Sequence, residues 1–145
     1  MATGTVTVFE EAKAYMIDGG WEAADDIKLA ICDNTTAPTA ATATPALGDF
    51  TEVSAAGTYT TGGTSIGSLT TCVSEAAGVM TFDSATNPTW AQDASSDVDA
   101  YWGIIYNDTQ AGDPAIAFVE LGGPVDMSAG DLTVTWNASG IFTIT

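Results

Sequence analysis

The densest group of ligand-type side chains in this sequence is an acidic stretch that contains Asp93, Asp97 and Asp99. Calcium binds about six to eight oxygen atoms, and carboxylates on a loop that leads into a strand can supply several of them. The stretch lacks the central glycine and the final glutamate of an EF-hand loop, so a second loop would have to complete the site. Two interpretations stay open: a calcium site, and a solvated acidic loop without a ligand.

The overall composition excludes several other kinds of chemistry. The chain has 145 residues with 19 Asp and Glu, only Lys13 and Lys28 as cations, and no histidine, which gives a net charge of −17. Without histidine, imidazole-based acid–base catalysis and metal binding are excluded, and two cations are too few to neutralise a nucleic acid. A glycosidase needs only a pair of carboxylates, but Glu120, the best single candidate, has no defined partner. We therefore predict that the chain is not an enzyme and that it has no cofactor other than the calcium considered above.

The two cysteines, Cys32 and Cys72, match no zinc-binding spacing, and no histidine is present to complete a four-ligand site. Cys32 follows the apolar run 27–31, and Cys72 falls in a segment that is typical of a strand. Two buried free thiols and a single disulfide are both compatible with this pattern.

Four tryptophans could serve either the core or a binding surface. Trp102 and Trp136 alternate with polar residues on apolar strand faces, so we predict that they pack in the core. Trp21 and Trp90 lie next to turns, so we predict that they are exposed, where they could stack on a sugar. A carbohydrate-binding module is one interpretation of this exposed pair.

One helix and an N-terminal arm are predicted before the strands begin. Thr7 and Glu10 fit a capping box, apolar residues recur at helical spacing as far as Ile17, and Gly19 and Gly20 end the run. This pattern predicts a helix over about 8–18. The preceding residues 1–7 are interpreted as an arm, and residues 2–6 within it as either a strand or a loose segment.

Most of the remaining chain has the alternation of β-strands, interrupted by Gly-rich turns. The predicted strands cover 27–31, 69–74, 79–83, 98–106 and 116–121, and the chain is predicted to close with a hairpin of 132–136 and 141–145. Segments 34–45 and 55–68 are predicted loops, the second with room for a short edge strand. We therefore predict a single domain over 8–145, mainly β, as an antiparallel β-sandwich (jelly-roll-like) with one short N-terminal helix.

A series of sequence blocks follows the first helix over nearly the whole remaining chain. They are Asp26 to Ile31, Glu52-Val53, Gly57 to Gly63, Val79 to Asp83, Pro88 to Trp90, Tyr101 to Thr109, Ala117 to Gly122 and Gly130 to Phe142. In their order, these blocks resemble a family of small tailed-bacteriophage virion proteins.

This resemblance implies a structural protein of the virion, with capsid decoration (cement) as the preferred role. Such proteins sit on the outer surface of the capsid, commonly as homotrimers, and bridge subunits of the major capsid protein. The implied partners are therefore the major capsid protein and copies of the chain itself, with no nucleic acid and no membrane. A tail, collar or fibre component is the alternative role.

Contacts with neighbours are expected from the arm and from the Thr/Pro-rich loop, because arms and loops can order on binding. The candidate contact residues are Ala2, Thr3, Gly4, Thr5, Val6, Thr36, Pro38, Thr39 and Pro45. The N-terminus lacks the cationic and apolar segments of a signal peptide, which fits assembly of a particle in the host cytoplasm. The net charge suits a partner that presents basic side chains.

Overall fold

The computed structural model describes residues 4–18 and 20–145. Its helical segments are α1 (Ala12–Asp18), α2 (Leu69–Cys72) and a single 3-10 turn over Leu47–Asp49. Its strands are β1 (Val6–Val8), β2 (Asp26–Cys32), β3 (Thr64–Ser68), β4 (Val73–Ala76), β5 (Val79–Phe82), β6 (Thr89–Trp90), β7 (Ala100–Asn107), β8 (Ala115–Val125), β9 (Leu132–Thr133) and β10 (Phe142–Ile144).

The strands form three antiparallel sheets. The main sheet has five strands in the order β1-β8-β7-β2-β3, and two smaller sheets have the orders β10-β5-β4 and β6-β9. The prediction of a mainly β, antiparallel fold with a short helix near the N-terminus is confirmed. A second helix, the four-residue α2, was not predicted.

One face of the main sheet packs against the two smaller sheets. Ile27, Leu29 and Ile31 of β2 share a buried cluster with Phe82 from β5 and Leu132 from β9. Because successive strand residues point to opposite faces, this alternation places all three β2 side chains in the layer between the sheets.

The other face of the main sheet is covered by the start of α1 and by the segment around the 3-10 turn. Phe9 packs on Phe118 of β8 and on Phe50, with ring centroids 5.1 Å and 6.0 Å apart respectively. Cys32 and Ile104 belong to the same buried cluster. Covering on both faces explains why the central strands are apolar at nearly every position.

The helix begins later than the capping box predicted. Val8 lies in β1, where it pairs with Ala117, and Thr7 pairs with Phe118, so Thr7 cannot cap a helix. The helix starts at Ala12, because pairing with β8 extends the backbone through Val8. Of the predicted arm, residues 1–3 lie outside the described residues, Gly4 and Thr5 precede β1, and its last two residues belong to β1.

The C-terminal segments are not the predicted hairpin. β9 pairs with β6, whereas β10 pairs with β5, so the two segments belong to different sheets. The predicted strand over 69–74 is also divided, because Leu69–Cys72 forms α2 and the strand starts at Val73. β4 and β5 form a hairpin that turns through Ala77 and Gly78, both with positive φ.

Gly103 is a position where the packing of the main sheet requires the absence of a side chain. A Cβ there would lie 2.8 Å from Val119 Cγ1 and 3.1 Å from Leu29 Cδ1, on strands either side of β7.

We predict that Gly103→Ala lowers the free energy of unfolding by about 1–3 kcal/mol, because a closely packed layer has to move apart. Urea denaturation measures the change. Gly48→Ala is the control, since nothing lies within 4 Å of its added Cβ; equal stability of the two variants would contradict the prediction.

Candidate functional site

The acidic stretch proposed as a calcium site uses its central carboxylate to hold the loop. Asp97 accepts hydrogen bonds from the backbone N–H of Ser54 at 2.9 Å and of Val98 at 2.8 Å. The Ser54 N–H is the main reason that the pKa of Asp97 is lowered, and further backbone N–H groups add to it against the effect of burial. Asp93 accepts from the Ser95 N–H at 2.8 Å, and Asp99 is exposed.

These three aspartates do not gather around a common point. Within residues 4–18 and 20–145, no group of three or more His, Cys, Asp or Glu side chains is arranged to hold a metal ion. Calcium binding therefore stays a prediction, and what the geometry provides is an anchored acidic loop.

A buried carboxylate that the sequence did not single out holds two loops together. Asp25 is only 2% exposed, and its Oδ2 accepts from Asn107 Nδ2 at 2.8 Å, Gln110 Nε2 at 2.9 Å and the Glu22 N–H at 3.1 Å. Burial is the largest single influence and raises the pKa of Asp25, but the three donors together outweigh it and the pKa is lowered. This cluster fixes the turn that carries Trp21 against the loop between β7 and β8.

A second polar cluster holds the Gly-rich loop before β3. Glu52 accepts from the Tyr59 hydroxyl and from the Gly62 N–H, the latter at 2.7 Å. The Tyr59 oxygen in turn accepts from the Ile31 N–H at 3.2 Å, and Tyr106 donates to the Gly62 carbonyl at 2.7 Å. Burial, followed by the bond to Glu52, raises the pKa of Tyr59, so this hydroxyl stays a donor. The role of the cluster is structural.

Of the two tryptophans predicted to be exposed, only Trp21 is partly exposed. Trp90 is 6% exposed and packs on Tyr59 with ring centroids 6.0 Å apart, so the prediction for Trp90 is wrong. Its strand β6 pairs with β9 in the layer that covers the main sheet, which sequence spacing could not show. Trp102 and Trp136 are half-buried at the margins of the core, where their indole N–H groups donate to Asn34 Oδ1 and to the Thr86 carbonyl.

Trp21 stands between two surface depressions. One, of about 270 Å³, is lined by Tyr15, Thr44 and Gln110 among others. The second, of about 480 Å³, is apolar and includes Met16 and Met80. The first combines two aromatic rings with polar neighbours, a composition suited to a small uncharged ligand.

The candidate contact residues are divided between surface and interior. Gly4, Thr5, Thr36 and Thr39 are exposed, and Val6 is half-buried in β1. Ala2 and Thr3 lie outside the described residues.

The two prolines among these candidates are buried, so their assignment as contact residues is wrong. Pro38 lies in the interior part of its loop, and the Pro45 carbonyl accepts the Ala115 N–H at 2.8 Å beside β8. In this loop the two prolines are the buried residues, whereas Thr36 and Thr39 are exposed.

The two cysteines are free and buried, as one of the two interpretations predicted. Cys32 lies in the cluster under α1, and Cys72 lies in the cluster between the sheets, so the main sheet separates them. Burial raises the pKa of Cys32 to about 12 and also raises that of Cys72. Neither thiol has the character of a nucleophile.

Negative charge dominates the surface. In the described part of the chain, Asp25 is the one acidic residue in the buried class. Of the two lysines, Lys28 forms an ion pair with Asp108 at 2.7 Å, and Lys13 is exposed on α1. Glu120, the glycosidase candidate, is exposed on β8 opposite Trp102.

Comparison with protein-family models, with curated proteins and with solved structures gave no match in any of the three. The resemblance to virion proteins therefore stays a prediction from the sequence. Among the described residues, no helix has the length and apolar character needed to span a bilayer.

The Asp25 cluster predicts a pH-dependent contribution to stability. Because the folded-state pKa is lowered, the contribution is present above the unfolded value of about 3.9 and is lost as the pH falls through the folded-state value. We expect Asp25→Asn to cost about 1–3 kcal/mol at pH 7, since an amide replaces an acceptor of three hydrogen bonds. The difference from wild type should shrink as the pH is lowered from 4 to 2.

Urea denaturation at several pH values tests this expectation, with Asp99→Asn at an exposed aspartate as the control. A cost of Asp25→Asn that does not change with pH would contradict it.

Proposed function

We propose that this chain is a structural protein of a tailed-bacteriophage particle, and that it decorates the outer surface of the capsid. In this role it bridges subunits of the major capsid protein as a homotrimer. The observation that carries the proposal is the charge of the surface: the chain has 19 acidic residues against two lysines, and of the acidic residues that the structure describes only Asp25 is buried. Such a surface complements basic patches on a capsid and is repelled by the packaged genome.

The resemblance of the sequence blocks to small virion proteins supports the same role. The anchored loops also support this role. Their carboxylates and hydroxyls form hydrogen bonds that hold backbone segments, and they are not gathered in a cleft. Adhesion between neighbours requires a rigid body with an adapted surface, and the polar clusters around Asp25 and Glu52 provide that rigidity.

The Thr/Pro-rich loop is a defined surface for such a contact. The Ala40 carbonyl accepts the Glu10 N–H at 2.8 Å, and Glu11 Oε2 accepts the Thr44 N–H at 2.7 Å, so both parts of the loop are fixed beside the start of α1. Thr36 and Thr39 project from this fixed base as exposed, uncharged side chains. A loop held in this way loses little conformational entropy on binding a capsid subunit.

We predict that the chain is present in purified virions at a copy number of the same order as the major capsid protein. A bridging protein on the shell has to occupy many equivalent positions, whereas a tail, collar or fibre component occupies few. Quantitative mass spectrometry of virions of the encoding phage measures the ratio. A copy number far below that of the capsid protein would favour the tail alternative, and absence from virions would contradict both roles.

A carbohydrate-binding role is the second candidate, favoured by the Tyr15 and Trp21 rings around one depression. We predict that, in this case, the chain binds members of a glycan array and that Trp21→Ala abolishes the binding, because one of the stacking rings is lost. Trp136→Ala is the matched control, at a half-buried tryptophan outside this depression. Failure of the wild-type chain to bind any glycan would contradict this candidate.

A further inference from the structure

We propose that copies of this chain join through the edge groove, by pairing of β1 of one copy with β10 of the next. The edge groove is the depression of about 540 Å³ that lies between β1 and β10. The inference deepens the proposed homotrimer and rests on it, because it assigns the surface through which the copies meet.

Among the residues that the structure describes, no charged side chain lines the edge groove. Its lining includes the apolar residues Val6, Val119, Leu121, Val134, Trp136 and Phe142, and the rest are glycine, serine, threonine, asparagine and isoleucine. Each copy carries a net charge of −17, so two copies repel each other over most approaches. The electrostatic repulsion between two copies is weakest when they meet through uncharged surfaces, so a second copy is the favoured occupant of the edge groove.

The edge groove is bordered by one residue of β1, Val6, and two of β10, Phe142 and Thr143, and both strands are edges of sheets. β1 is the terminal strand of the five-stranded sheet, and β10 is the terminal strand of the three-stranded sheet. A terminal strand presents backbone N–H and C=O groups that can pair with another strand, and proteins usually block such edges with charges, prolines or bulges. Neither Val6–Val8 nor Phe142–Ile144 contains a charge, a proline or a glycine.

The two edges are chemically matched to each other. β1 reads Val-Thr-Val and β10 reads Phe-Thr-Ile. If the two strands pair about their central residues, in either direction, Thr7 faces Thr143. Each of the two valines of β1 then faces Phe142 or Ile144. Threonine pairs and pairs of aromatic with β-branched residues are among the favourable cross-strand combinations.

The pairing of two different edges has a consequence for symmetry. When a copy pairs its β1 with one neighbour and its β10 with another, the contact is heterologous, and repeated contacts of this kind close into a ring when the rotation allows it. A trimer is one such ring. A two-fold dimer through one kind of edge would instead pair each edge with itself.

Sedimentation velocity of the purified chain, at low salt and at 1 M NaCl, tests the inference. We expect self-association that strengthens at high salt, where the Debye length falls to about 3 Å and repulsion between copies is screened. Thr143→Asp places a charge on the exposed side of β10 and should weaken association by about fivefold or more. Ser74→Asp adds the same charge on the exposed edge strand β4, at the other side of that sheet, and should change nothing.

A double variant, Thr7→Lys with Thr143→Asp, tests the register, because the two new charges would face each other between copies. Association restored towards wild type supports the pairing of β1 with β10, and association that stays as weak as in Thr143→Asp overturns it. Circular dichroism confirms that each variant is folded. A wild-type chain that is monomeric at both salt concentrations, or equal weakening by Thr143→Asp and Ser74→Asp, also overturns the inference.

These outcomes are separate from the fate of the capsid role. If the chain is monomeric but present in virions at high copy number, the pairing of β1 with β10 is wrong and the proposed capsid-decoration role is unaffected. If the chain associates through the edge groove but is absent from virions, the capsid-decoration role is wrong and the pairing is unaffected.

Discussion

Burial of the main sheet on both of its faces is the constraint on which the rest of the structure depends. β8 lies between β1 and β7, with the smaller sheets over one face and Phe9, Ala12 and the 3-10 turn over the other. A sheet covered on both sides has little room for charged side chains along its central strands. In β2 and β8 these are Asp26 and Lys28, near the start of β2, and Glu120, which is exposed. Most of the other acidic residues lie on loops.

A chain with 19 acidic residues and two lysines has few ion pairs available to it. Its carboxylates instead accept hydrogen bonds from backbone N–H groups, as Asp97 does from Ser54 and Asp131 does from Gln92 at 2.8 Å. Such charge-assisted bonds are stronger than those between neutral groups, and they fix loops that have no regular structure. The same residues thus give the surface its negative charge and give the loops their shape.

The distribution of charge also separates two kinds of surface. The exterior carries a large excess of negative charge, whereas the described residues that line the edge groove are uncharged. A decoration protein needs both kinds, one to meet the capsid and one to meet its own copies. The buried thiols and the engaged carboxylates have structural uses in this arrangement.

The sequence by itself determined that the fold is mainly β and where its central strands lie. The alternation in β2 and β7 and the apolar run in β8 depend on the burial of each strand and not on the identity of its partners. It also indicated β5, since the predicted strand over 79–83 coincides closely with Val79–Phe82. Only the tertiary structure decided the start of α1, the burial of Trp90 and the partners of β9 and β10. Those outcomes depend on pairing between distant segments, as in Thr7 with Phe118 or Asn107 with Asp25. A capping box or a turn is a local preference worth about 1 kcal/mol, and a strand pairing that buries apolar surface outweighs it.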